Sequence, residues 1–142
     1  MRVKDVMNTD LFILNETDNI FQASNFMKKE RIRNLPVVDK HYKLIGLVTL
    51  REIVDAITEG PKDQHIGNIM ITEVKTLGPD TPLKGAIEVM IINKFGSMPV
   101  VDNNRKLLGM ITELDLLKRL YSIAEMPDDF YITKEEKKTF SF

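Results

Sequence analysis

The chain is written twice. "NLPVVDKHYKLIGLVTLREIV", Asn34 to Val54, lies without a gap over "SMPVVDNNRKLLGMITELDLL", Ser97 to Leu117, so that Pro36, Gly46 and Thr49 fall 63 residues before Pro99, Gly109 and Thr112. The register extends backwards through Thr9 with Thr72, Ala23 with Ala86 and Met27 with Met90, and reaches Met7 and Met70. A repeat this long confines the chain to one supersecondary unit used twice. Each unit is too small to bury all of its apolar surface alone, so the two must pack on each other.

Periodicity gives the unit its elements. "LFIL" and "VKTL" read as short strands before turns. Ile20, Ala23 and Met27 in one copy, and Leu83, Ala86, Ile87 and Met90 in the other, have the spacing of one buried helical face. Asp80, Thr81 and Pro82 mark the start of the second of these helices. "LPVV" and "KLIGLVT" follow as extended runs joined by hairpin-like "DKHY", or "DNNR" in the second copy. A last helix closes each copy; in the second, Leu117, Leu120, Tyr121 and Ala124 continue the helical spacing and lengthen it. The expected fold is α/β of the α+β kind: two pseudo-twofold-related repeats, each strand-helix-strand-strand-helix, packed sheet to sheet. Repeat 1 takes residues 1–58, a polar linker 59–64, repeat 2 65–125 and a tail 126–142. A pseudo-twofold axis creates two related clefts, where ligands are expected.

The segments "VKDVMNTDLFIL" and "IGNIMITEVKTL", "LPVVD" and "MPVVD", "GLVTLREI" and "GMITELDLL" resemble two cystathionine beta-synthase (CBS) domains in tandem, a Bateman module. The resemblance spans roughly Val3 to Ala124 and keeps the motifs in order. It implies a regulatory module that binds adenine nucleotides or related adenosyl compounds such as S-adenosylmethionine, forms a homodimer, and controls a partner protein. No catalytic segment is recognisable beside it, so the resemblance points to a stand-alone module.

In the family pattern a threonine or serine and an aspartate hold the ribose and phosphate side, and the other motif walls the base. Carried onto this chain, the polar pair is Thr112 and Asp115, with Met110 and Ile111 as apolar neighbours. The facing wall is Phe12 and Ile13, with Ile32 and Arg33 before "NLPVV", and Arg33 is the candidate phosphate contact. A carboxylate suits a ribose diol because it accepts from two hydroxyls at once. The pseudo-equivalent cleft pairs Thr49 with Glu52 and is walled by Lys75, Thr76, Phe95 and Gly96. Glutamate departs from the pattern there, and its extra methylene displaces the carboxylate. That cleft is expected to be degraded.

A second reading competes for the same residues. Threonine followed three positions later by an acid is a capping box, and "TLRE" fits it better than "TELD" because glutamate is the preferred acid. Capping and binding are compatible, since an open helix N-terminus attracts anions. Two function classes therefore stand: a sensor of an adenosine-containing metabolite, and a dimeric interaction scaffold with vestigial clefts.

Other classes are disfavoured. The net charge of −1 supplies no positive field for a long nucleic acid. Cysteine is absent, which removes disulfides and thiolate chemistry and fits the cytoplasm. The longest apolar run, "VMII", is far short of the roughly 20 residues that span a bilayer, and the amino-terminal segment is broken by charges, unlike a signal peptide. His41 and His65 are single and far apart, so no metal site is expected. Ser24, Ser97, Ser122 and Ser141 lack a nucleophile motif, and no catalytic set is legible. Met7, Met27, Met70, Met90 and Met98 read as core filler. The tail offers "TKEE" at Thr133 as a helix start, and Phe130, Tyr131, Phe140 and Phe142 as an aromatic cluster expected to pack on the module.

Overall fold

Buried stripes and alternating runs become helices and hairpins in the computed structural model, which describes residues 1–60 and 65–124. The first repeat holds α1 (Ile20–Glu30), β1 (Asn34–Val38), β2 (Leu44–Thr49) and α2 (Leu50–Glu59). The second holds α3 (Leu83–Asn93), β3 (Ser97–Val101), β4 (Leu107–Thr112) and α4 (Glu113–Ile123). Single 3-10 turns, Val3–Asp5 and Ile66–Asn68, open the two copies. Residues 61–64 of the expected linker, and the tail with its Thr133 helix start and four aromatics, lie outside the described residues.

α1 forms because Ile20, Ala23 and Met27 share its buried face, and because the Asn19 side chain accepts the amide hydrogens of Phe21 at 2.8 Å and Gln22 at 3.4 Å. It ends at Arg31, whose left-handed backbone (φ 56°) is reproduced at Lys94 after α3. β1 and β2 pair antiparallel with Leu35 opposite Val48, and β3 and β4 repeat the pairing with Met98 opposite Ile111. Both hairpins carry an irregularity at the same place, between Val37 and Val38 and between Val100 and Val101. The hairpin turn is fixed by an aspartate: Asp39 Oδ1 accepts from the amides of His41 at 2.8 Å and Lys43 at 3.0 Å. The Lys43 bond holds the Asp39 carboxyl below its ordinary pKa.

The leading strands contract. "LFIL" and "VKTL" reduce to one parallel bridge each, Leu14 to Val37 and Leu77 to Val100. The Leu14 amide donates to Pro36 O and Leu14 O accepts from the Val38 amide, both at 2.9 Å. An aspartate turn then bends the chain away, with the Asn15 amide donating to Asp18 Oδ2 at 2.8 Å.

The opening turns are exchanged between the copies. Val3, fully buried, packs with Leu77, Ala86, Met90, Met98, Val100 and Ile111 of repeat 2. Ile66, equally buried, completes the core of Leu14, Ile20, Ala23, Met27, Leu35, Val37, Val48 and Ile53 in repeat 1. Met7 and Met70 pack against these exchanged cores, while Met27, Met90 and Met98 lie inside them. Lys4 ties the first turn to Asp80 at 2.9 Å, and that hydrogen bond, together with the lysine charge, lowers the Asp80 pKa.

A third cluster marks the pseudo-twofold axis. Val38 and Leu44 meet their repeat mates Val101 and Leu107. Beside it the hairpin turns reciprocate: the Leu44 amide donates to Arg105 O at 2.9 Å, and the Leu107 amide to Tyr42 O at 3.1 Å.

The symmetry fails at α4. α2 buries Ile53 to 1% exposure, whereas Leu116, its counterpart, is only partly buried and α4 has no buried residue. Leu117, Leu120 and Tyr121 hold the expected helical spacing but are 60%, 55% and 70% exposed. Their stripe is a surface rather than a core face.

Candidate functional site

The polar pair sits where a strand becomes a helix. Thr112 ends β4 with extended backbone (φ −122°, ψ 161°), and the next residue opens α4. Its amide donates to Asp115 Oδ2 at 2.9 Å, its hydroxyl donates to the same oxygen at 2.8 Å, and the Asp115 amide donates back to Thr112 Oγ1 at 3.1 Å. The capping box is complete. Both bonds to the carboxylate converge on one oxygen. Among the described residues Oδ1 makes no hydrogen bond, and it keeps the capacity to accept from a ligand hydroxyl.

This pair lines a cleft of about 530 Å³ between the repeats. Of the residues named from the sequence, Met110, Thr112 and Asp115 come from repeat 2, and Phe12, Ile32 and Arg33 from repeat 1. Phe12 is held ready: its ring packs edge-to-face on Phe26 of α1, centroids 4.8 Å apart, while the side chain stays 48% exposed toward solvent. Arg33 is exposed, and its carbonyl accepts the first amide of α2, Leu50 N, at 2.8 Å.

Two named residues do not line the cleft. Ile111 is fully buried among Val3, Leu77 and Met98, because successive strand side chains face opposite ways and Met110 and Thr112 take the cleft side. Ile13 packs into the axis cluster for the same reason, as Phe12 points outward. Residues the sequence reading missed include Asn8, Asp10, Glu30 and Asn34, together with Lys118 and Glu113 from α4. Lys118 was findable, since three positions after Asp115 it lies on the same helical face. With Arg31 and Arg33 it gives the cleft lining three cations alongside Asp10, Glu30, Glu113 and Asp115.

The pseudo-equivalent cleft is not assembled alike. Thr49 and Glu52 form a capping box, with the Thr49 amide 2.8 Å from Glu52 Oε2 and the Thr49 hydroxyl donating to the same oxygen. Neither lines the first cleft or the depression beside Lys75. Lys75 borders a shallow depression with Thr72, Glu73 and Arg105, and its ammonium donates to Asn93 Oδ1 at 2.8 Å. Thr76 is partly buried outside that depression, Phe95 packs on the repeat 2 core, and Gly96 lines the first cleft instead. Its carbonyl accepts the Glu113 amide at 3.0 Å, which draws it to the start of α4.

No cluster of three or more potential metal ligands occurs among the described residues, and no helix there is long and apolar enough to cross a membrane.

Two repeats with exchanged opening turns, and a cleft between them lined from both, define a paired-repeat module. The chain belongs to the CBS domain family, whose model matches residues 3–59 and 66–122. An uncharacterized 17.7 kDa protein of Acidianus ambivalens is 27% identical over 125 residues, covering 88% of this chain and 76% of that one. The inosine-5'-monophosphate dehydrogenase of Methanocaldococcus jannaschii is 33% identical over 118 residues, covering 83% of this chain but 23% of the enzyme. The chain thus spans under a quarter of that enzyme's length. A solved CBS domain pair in complex with 5'-methylthioadenosine and S-adenosyl-L-methionine superposes with a TM-score of 0.74 at 30% identity, covering 86% of this chain and 96% of that one. The fold is shared with CBSX2 in complex with AMP (TM-score 0.77, 21% identity, 86% and 97% covered). The two matched segments form a pair of CBS domains.

Proposed function

We propose that the cleft at Thr112 and Asp115 binds an adenosine-containing metabolite, an adenine nucleotide or S-adenosylmethionine, and that occupancy is passed to a partner protein. The observation that carries this reading is that Asp115, whose two bonds to Thr112 use only Oδ2, lines the same cleft as Phe12, Ile32 and Arg33 of the other repeat. Asp115 accepts from a ribose hydroxyl, Phe12 and Ile32 flank the base with Met110, and Arg33 meets phosphate. Ile111 and Ile13 support these contacts from the cores behind them. The cleft at Thr49 and Glu52 is the weaker or empty one. Its box leaves Lys75 tied to Asn93 where the first cleft has Phe12. The relatives' adenosyl ligands support the ligand class, and the ligand signals only in so far as it binds two conformations with different affinity.

Homodimerisation belongs to the same reading, because Leu117, Leu120 and Tyr121 on α4, with Val54 and Ile57 on α2, expose apolar surface that a second copy would cover. The division into repeats at 1–58 and 65–125, and action in a reducing compartment such as the cytoplasm, go with it. The scaffold reading rests on the same stripe and on the completed capping box.

A melting-temperature screen of AMP, ADP, ATP, 5'-methylthioadenosine and S-adenosylmethionine separates the two. A compound at 100 times its dissociation constant adds about 2.7 kcal/mol to wild type. Asp115→Ala loses about 1 kcal/mol of unliganded stability with its cap and also loses the ligand shift. Glu52→Ala loses a similar cap and keeps the shift. If no compound moves wild type, the scaffold reading stands.

A further inference from the structure

Ser97 is an anomaly of the cleft. Its side chain is 8% exposed, and its Oγ is the buried side-chain polar atom that lacks a hydrogen-bond partner among the described residues. Such orphans are rare in folded proteins and call for an explanation. The residue lines the cleft, and it is the first residue of β3, directly opposite Thr112 on β4. Residues paired this way put their side chains on one face of the hairpin, with Cβ atoms about 4.5–5.5 Å apart. Its neighbours bond to α4 instead: Gly96 O takes the Glu113 amide, and the Thr112 hydroxyl is committed to Asp115. Alanine would fill the same space without an orphan. The repeat does not impose the hydroxyl either, since the equivalent position is Asn34.

We propose that Ser97 Oγ contacts the ligand and reads one hydroxyl of the sugar whose neighbouring hydroxyl is accepted by Asp115. This rests on the adenosine reading of the cleft and makes it specific to a ribose with both hydroxyls in place. A vicinal diol presents two O–H groups side by side. Asp115 Oδ1 can only accept, whereas a serine hydroxyl both donates and accepts, so the two groups together saturate the diol. A site built to hydrogen-bond a hydroxyl rejects the analogue that lacks it, because the buried protein group is then left unpaired.

The test is calorimetric titration of wild type, Ser97→Ala and Ser97→Cys with AMP, 2'-deoxy-AMP and 3'-deoxy-AMP. Wild type should bind AMP about tenfold more tightly than at least one of the two deoxy compounds, the effect of one hydrogen bond. Ser97→Ala should lose about the same factor for AMP, leave unchanged the affinity for the deoxy compound that lacks the hydroxyl Ser97 reads, and so erase that preference while the one set by Asp115 remains. Ser97→Cys, similar in shape and a weak donor, should behave like alanine. Unliganded Ser97→Ala should melt no lower than wild type, since it loses no partner. Full discrimination retained in Ser97→Ala, or an equal loss for all three compounds, overturns the assignment. If AMP binds and Asp115→Ala abolishes binding while Ser97→Ala changes nothing, only Ser97 falls. Failure of wild type to bind any of the three overturns the adenosine reading as well.

Discussion

Gly109→Ala should destabilise the protein although the residue lies in a strand, where replacing glycine ordinarily helps. Nothing about its backbone demands glycine, because its φ is not in the left-handed region. The demand comes from approach. A Cβ on Gly109 would stand 2.8 Å from Met7 Sδ and 2.9 Å from Asn8 O. The sulfur can swing away, but the carbonyl cannot, since it accepts the Met110 amide at 3.0 Å while the Asn8 amide donates to Met110 O at 2.8 Å. Overpacking of this kind costs about 1–3 kcal/mol, and weakening the two bridge hydrogen bonds adds about 0.5–1.5 kcal/mol each. The gain from removing glycine, about 0.5–1 kcal/mol, does not offset this. Urea denaturation should therefore show a loss of about 2 kcal/mol. The control is Gly85→Ala in α3, where an added Cβ meets nothing within 4 Å. It should gain about 0.5–1 kcal/mol. A Gly109→Ala protein as stable as wild type, or more so, would refute the exchanged opening turn as a tight structural contact.

Ile53→Ala should cost about 2–5 kcal/mol, and Leu116→Ala clearly less, because Ile53 is fully buried in its core whereas Leu116 only packs against one; equal losses in denaturant midpoints would contradict that difference in seating. Asp80 has a pKa lowered by Lys4, so its contribution is present above the unfolded-state value and is lost as pH falls through the folded-state value. Asp80→Asn should thus flatten the melting-temperature profile just below the ordinary aspartate range, while at neutral pH an exposed pair shifts it little. Leu120→Glu on the exposed stripe should leave the melting temperature of a monomer nearly unchanged and shift sedimentation toward monomer; an unaltered dimer would place the interface elsewhere.

Much of this fold was legible because the sequence states it twice. Any residue ambiguous in one copy was resolved by its mate, so the helices around Ala23 and Ala86 and both hairpins are where the spacing put them. Local pattern could not reveal the exchange of opening turns. Val3 reads the same whether it serves its own repeat or the other, and only three-dimensional packing decides. The same holds for α4, whose apolar spacing is identical for a core face and a surface one. At the site, strand alternation puts Met110 and Ile111 on opposite faces of β4, so Met110 lines the cleft while Ile111 enters the core. Ser97 was visible as a serine but not as an orphan, since a missing partner is a property of the packed state.

The exchange bears on how the two pseudo-equivalent clefts come to differ in their lining. Val3 lies in the core of repeat 2, Asn8 bridges to Met110, and Phe12, four residues on, walls the first cleft. The opening strap is therefore part of three structures at once. Its counterpart runs from Ile66 in the core of repeat 1, through the Ile71 bridge to Leu47, to Lys75. A phenylalanine at the strap's end finds Phe26 to lean on and leaves a flat apolar wall; a lysine finds Asn93 and leaves a charged tether. Since Gly46 and Gly109 admit the two straps equally closely, the scaffold does not distinguish the clefts. The difference lies in a few side chains at the strap ends and in Asp115 against Glu52. The first cleft is lined by the strap, β1 and the start of α4 together, so a molecule bound there would add its binding energy to the contact between repeats.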